Sequence, residues 1–145
     1  MRPHHAVRPE GRSGGKIGET SMPVSQEVGA LLATMIKRPL WVVLNARKAS
    51  SAEMEPYVTE HLQYMSRLEE QGLLWASGPF IEPGVVVGDG LTIFNVAEEA
   101  DVHRLMAEEP LVKRGLRSYS VRKWEVREGK ISIELFLSQS RFALD

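Results

Sequence analysis

The stretch "TEHLQYMSRLEEQGLLWASGPF", residues 59–80, changes its hydrophobic period halfway along. Met54, Tyr57, Val58, Leu62, Met65 and Leu68 recur at intervals of three and four, the stripe of an amphipathic helix spanning about residues 52–71. Pro56 falls in its first turn, where a missing N–H is tolerated. Gly72 stands where a left-handed C-cap commonly ends a helix. "LLWAS", residues 73–77, then reads as a short strand closed by Gly78-Pro79. His61 lies within the apolar stripe, three residues after Val58 and four before Met65. It reads either as a core imidazole satisfied by one hydrogen bond or as a general acid or base facing a pocket.

Outward from this unit, "LWVVLN" (residues 40–45) is a continuous apolar run, the pattern of a strand covered on both faces. The serines of "KASSAEM" are N-cap candidates for the helix that follows. Residues 79–90 carry Pro83, Gly84, Gly88 and Gly90 and are expected to form an exposed, mobile loop. "LTIFNV" (residues 91–96) is a third strand, and "AEEADVHRLMAEE" a second helix, acidic at its start as the helix dipole favours. Pro110 disfavours helical geometry at Glu109 and marks the end. A basic segment, residues 111–116, leads to a fourth strand, "SYSVRKWEV". "REGK" reads as a turn before a fifth, "ISIELFL", with Ile131, Ile133, Leu135 and Leu137 on one face.

The order is β-α-β-β-α-β with an extra C-terminal strand, the ferredoxin-like α+β arrangement with two helices on one face of the sheet. The strands carry large apolar side chains at both parities, Trp41 and Val43 against Leu40 and Val42. The face without helices therefore needs a cover, and a second copy of the sheet, a homodimer, is the expected one. Three segments result: a disordered or partly helical extension over residues 1–37, a domain over 38–126, and a C-terminal hairpin strand and tail over 127–145. Within the extension, residues 26–37 read as a short helix.

The chain has 145 residues, 26% of them charged, and a formal net charge of -1, so it offers no basic field for nucleic acid or anionic lipid. With no cysteine, disulfides, thiolate nucleophiles and cysteine metal sites are excluded. "VGALLATMI" (residues 28–36) is too short to span a bilayer and lacks a cleavage pattern. A cytoplasmic protein without a membrane partner is expected. No phosphate loop or dinucleotide fingerprint appears, and no cofactor is expected.

Glu109 continues the inner-face spacing of Val102, Leu105 and Met106. Turned inward, its carboxylate would orient His61 and raise its basicity. Ser77 lacks a nucleophile-elbow context and reads as a turn hydroxyl. His103 lies off the inner face, and a metal site of His61, His103 and Glu109 matches no recognised ligand spacing. Trp41 reads as core, with a place in an apolar pocket wall as the other possibility.

Three segments together resemble the YCII-related proteins: "HLQYMSRLEEQGLLWASGPF", "GDGLTIFNVAEEADVHRLMAEEPLVKRGL" and "YSVRKWEV", covering residues 39–126. The resemblance implies a ferredoxin-like dimeric α+β barrel and a site pairing the helical histidine with an aspartate before proline. His61 matches the first position. Glu109 stands at the second, one methylene longer, followed by Leu111 where the family often has Phe. The activity most clearly associated with the family is dehydrochlorination of a chlorinated hydroxyhydroquinone, and related barrels include muconolactone isomerases. The expectation is a cofactor-independent, lyase- or isomerase-like enzyme that moves a proton on a small cyclic or aromatic substrate. His61 and Glu109 would be catalytic, with Ser77, Gly78, Pro79 and Trp41 at the substrate. The alternative is a dimeric small-molecule-binding or regulatory module without chemistry.

Overall fold

A computed structural model of the chain describes residues 25–85 and 87–144, the last three through their backbone. The tail expected to be disordered lies, apart from Ser25, outside the described residues. The chain divides into units over residues 1–34 and 35–145. The first contributes helix α1 (Gln26–Ala33), capped by Ser25, whose hydroxyl accepts from the Val28 N–H at 3.3 Å. It ends before residue 37 because the Thr34 hydroxyl donates back to the Leu31 carbonyl at 2.9 Å, closing the last turn.

The second unit runs β1 (Arg38–Arg47), α2 (Ser51–Met54), α3 (Val58–Glu70), β2 (Leu74–Pro79), β3 (Gly90–Phe94), α4 (Glu99–Glu108), α5 (Pro110–Lys113), β4 (Arg117–Val126), β5 (Ile133–Phe136) and β6 (Arg141–Leu144). Strands β2-β3-β1-β4 form one sheet in that spatial order, every neighbour antiparallel. This is the ferredoxin-like α+β order expected from the sequence.

The expected single helix over residues 52–71 is interrupted. Pro56 lies in a 3-10 turn (Glu55–Tyr57) between α2 and α3, since a proline ring crowds the carbonyl four residues back and removes an N–H. Ser50 and Glu53 close a reciprocal capping box on α2. At the other end, the Gly72 N–H bonds Glu69 O at 2.9 Å and the Leu73 N–H bonds Leu68 O at 3.0 Å. Gly72 takes φ 72°, a left-handed conformation that lets β2 leave at once.

Helices α3 and α4 pack on one face of the sheet, where Trp41, Val43 and Phe94 meet Met65, Leu68, Val102 and Met106. Tyr64 ties the helices together by donating to the Leu105 carbonyl at 2.7 Å. On the opposite face Leu44, Trp75 and Trp124 remain 41%, 45% and 40% exposed. Trp75 sits at a register shift in β2, and its ring meets that of Trp124 edge-on at 6.3 Å. Because β2 and β4 are the outer strands, this pair reaches across the two central ones.

Two expectations change. The loop is exposed over residues 80–84 as expected, but its end is pinned: Val87 is buried with Met54 and Leu111, and the Asp89 carboxylate accepts from the Arg47 N–H at 2.8 Å. The C-terminal strand does not form a hairpin with β4 but pairs with β6 in a separate two-stranded sheet. Its reverse turn comes later, through a 3-10 turn (Leu137–Gln139) and Ser140 in the left-handed region. Among the described residues no helix is long and apolar enough to cross a membrane.

Phe94 is fully buried between the helices and β1. Phe94→Ala is expected to cost about 3–5 kcal/mol of stability, read from urea denaturation, because the surrounding side chains cannot close the cavity.

Candidate active site

Glu109 precedes a proline, which steers its backbone into an extended conformation, φ -63° and ψ 125°. That ends α4 and makes the same residue the N-cap of α5. Its carboxylate accepts the Leu111 N–H at 3.2 Å on Oε1 and the Val112 N–H at 2.9 Å on Oε2, two donors that a helix start would otherwise leave orphaned. His61, reaching from α3, brings Nδ1 to 2.7 Å from Oε1. The extra methylene of glutamate therefore does not break the contact.

The two side chains are 17% and 2% exposed, His61 and Glu109 respectively. Burial pushes the Glu109 carboxyl upward, but the hydrogen bonds from His61, Leu111 and Val112 and the His61 charge outweigh it, so the group lies below its ordinary value and is an anion. An anion this close assigns the proton to Nδ1, leaving the Nε2 lone pair as the free acceptor of the neutral ring. The platform is braced, since Arg114 bonds Glu60 on α3 at 2.8 Å and lies 4.4 Å over the Tyr57 ring.

His61 lines a cavity of about 300 Å³ between α3 and the sheet, the low end of the range for small-molecule sites. Glu109 does not line it, so the imidazole stands between buried carboxylate and open space. Ser77, Gly78 and Pro79 form part of the wall. Trp41 does not: it is packed in the core, where its indole N–H donates to the Ala97 carbonyl at 3.4 Å. Nothing in its position supports contact with a substrate. His103 lies away from the pair, exposed, with Nδ1 2.8 Å from the Tyr119 hydroxyl. Leu62, placed by its spacing on the apolar stripe, is an exposed wall residue of the cavity instead.

Sequence reasoning named Ser77 but missed the rest of the floor. Asn45, Thr92 and Ser77 come from three adjacent strands, β1, β3 and β2, and are linked at 3.1 Å and 3.0 Å. Arg117, at the start of β4, completes the row and donates Nη2 to the Gly88 carbonyl at 3.2 Å. Burial draws its guanidinium below the ordinary value, while the Glu109 and Asp89 charges act against that. The signal was present as polar residues at the ends of strands, but only strand register makes them neighbours. Gly90 belongs to the same wall: a Cβ there would meet the Gly78 carbonyl oxygen at 2.8 Å, so β2 and β3 approach this closely only with glycine.

A carboxyl depressed in the folded state adds stability above its unfolded value near 4.5 and loses it as pH falls through the folded value. The wild type is thus expected to lose more stability than Glu109→Gln between neutral pH and pH about 4. At neutral pH the variant is expected to be less stable by about 1–3 kcal/mol, both read from urea denaturation.

Among solved structures, 5-chloro-2-hydroxyhydroquinone dehydrochlorinase from Burkholderia phenoliruptrix, in complex with 2,5-dihydroxybenzoquinone, superposes with a TM-score of 0.51 at 20% identity. The match covers 59% of this chain and 92% of that one, and shows a shared fold. No curated protein matches the chain. The model of the YCII-related domain matches residues 40–125, and the chain therefore belongs to the YCII-related family.

Proposed function

We propose that this protein is a small enzyme in which His61 moves a proton on a small cyclic or aromatic substrate, without a cofactor. The observation that carries this is the placement of His61 between a buried carboxylate at 2.7 Å and a cavity of about 300 Å³. Nε2 takes a proton from an acidic C–H or O–H of the bound molecule. The imidazolium so formed is stabilised by the Glu109 anion, whose own position is held by the backbone of α5. In an isomerisation the proton returns to another ring atom. In an elimination the electron pair of the broken C–H bond, or for a chlorohydroquinone that of an O–H bond in its keto tautomer, drives formation of the new double bond as halide leaves, and the proton passes to water. A group so placed contributes on the order of 10²–10⁴-fold.

The dehydrochlorinase that shares the fold handles such a ring, and its substrate is the natural first probe. Chloride release from 5-chloro-2-hydroxyhydroquinone and isomerisation of a muconolactone are the two assays. His61→Ala is expected to lower kcat/KM on the active substrate by about 10²–10⁴-fold while the protein stays folded by circular dichroism, with a reduced melting temperature because Glu109 loses one of its three donors. Equal rates in the two proteins would remove His61 from the mechanism and leave a binding module.

The exposed sheet face is read as the interface of a homodimer closing into an α+β barrel, with Leu44, Trp75 and Trp124 at its centre. Apolar area of this kind, contiguous and carrying an indole pair, favours a second copy. Light scattering at micromolar concentration should give the mass of two chains, and a monomer would overturn the reading.

A further inference from the structure

The cavity floor holds two buried polar atoms that have no partner among the described residues, Asn45 Oδ1 and Arg117 Nε. Both side chains line the cavity, in residues only 5% and 9% exposed. Arg117 makes no ion pair among the described residues. The two carboxylates whose charge reaches it are engaged elsewhere, Glu109 with His61 and α5, and Asp89 with the Arg47 N–H. A buried guanidinium with an unpaired N–H and no contacting anion is costly unless a ligand completes it.

Asn45 donates Nδ2 to Thr92 Oγ1, and Thr92 Oγ1 lies 3.0 Å from Ser77 Oγ, where either hydroxyl can donate. With Thr92 as the donor, the Ser77 hydroxyl is free to donate to a bound molecule. The floor then offers two donors, Arg117 Nε–H and Ser77 O–H, and one acceptor, Asn45 Oδ1, with His61 Nε2 as a second acceptor on the wall.

We propose that Arg117 and Asn45 form the specificity subsite of the cavity, binding a small hydroxylated acid: its anionic oxygen on Arg117 Nε and the Ser77 hydroxyl, its neighbouring hydroxyl donating to Asn45 Oδ1. This rests on the reading of the cavity as the substrate site of His61. The anionic oxygen belongs either to a carboxylate or to an ionised ring hydroxyl, since both present the same charge-assisted acceptor. Arg117 holds the anion and does not exchange the proton.

Calorimetric titration of the full chain in buffer near neutral pH tests this with three probes: salicylate, 4-nitrocatechol and the neutral salicylamide. At least one anion is expected to bind about tenfold or more tightly than salicylamide, and whichever does so identifies the oxygen's source. Arg117→Met is expected to abolish that preference while leaving salicylamide within about twofold, a split that general loosening of the loop carbonyl at Gly88 would not give. Asn45→Asp, nearly isosteric, places a competing carboxylate in the row and should remove the preference too, deciding the matter if Arg117→Met fails to fold. No preference in the wild type, or an equal loss for all three probes in the variants, overturns the proposal. His61→Ala should keep the preference. A protein with the preference but no His61-dependent turnover overturns the proton-transfer reading alone, and turnover without the preference overturns this one alone.

Discussion

The Glu109 carboxylate is almost wholly out of water, and its charge is sustained there because His61, Leu111 and Val112 each direct a hydrogen at it. An uncompensated buried carboxylate would protonate or drag the segment to the surface. With three donors it becomes a fixed point instead. Pro110 sets the backbone, α5 supplies two N–H groups, and α3 must run close enough for an imidazole to supply the third. Arg114, reaching from α5 to Glu60 on α3, keeps that separation constant. Structural cap and candidate catalytic orienter are one side chain, so the geometry of the dyad is as firm as the helix start that carries it.

The same economy governs the floor of the cavity. Asn45, Thr92 and Ser77 are laid side by side by antiparallel register, and their hydrogen bonds run across strands, perpendicular to the chain. Each satisfies part of its neighbour, and what is left over points at the cavity. A polar row of this kind costs stability in a core and is tolerable beside a space that a polar ligand enters. Among the described residues Arg117 extends it with the one full positive charge lining the cavity, opposite in sign to the Glu109 behind His61.

The sheet divides its labour by parity. Trp41, Val43 and Phe94 fill the helix side with core, and toward the other end of the same strands that face turns polar and floors the cavity. The opposite parity stays apolar and open, closed only in part by the edge-on Trp75–Trp124 contact. The β2 irregularity at Trp75 brings that indole toward its partner while Ser77 resumes register with Thr92.

Local chemistry was enough to read much of this molecule. Hydrophobic periods located the strands and helices, because period two and period 3.6 are imposed by backbone geometry; Gly72 and Pro110 marked the stops, because left-handed backbone and a missing N–H are properties of single residues. His61 was visible as a polar intruder on an apolar stripe. Tertiary structure decided the rest. It broke the first helix at Pro56, buried Val87, paired the last strand with β6, and moved Trp41 from a possible pocket wall into the core. Above all, it set His61 against a buried carboxylate and at the wall of a cavity, since helical spacing places a side chain on a face but cannot say what stands beyond it. Asn45, Thr92, Ser77 and Arg117 are far apart along the chain, and only the pairing of four strands, a consequence of long-range packing, makes them one surface.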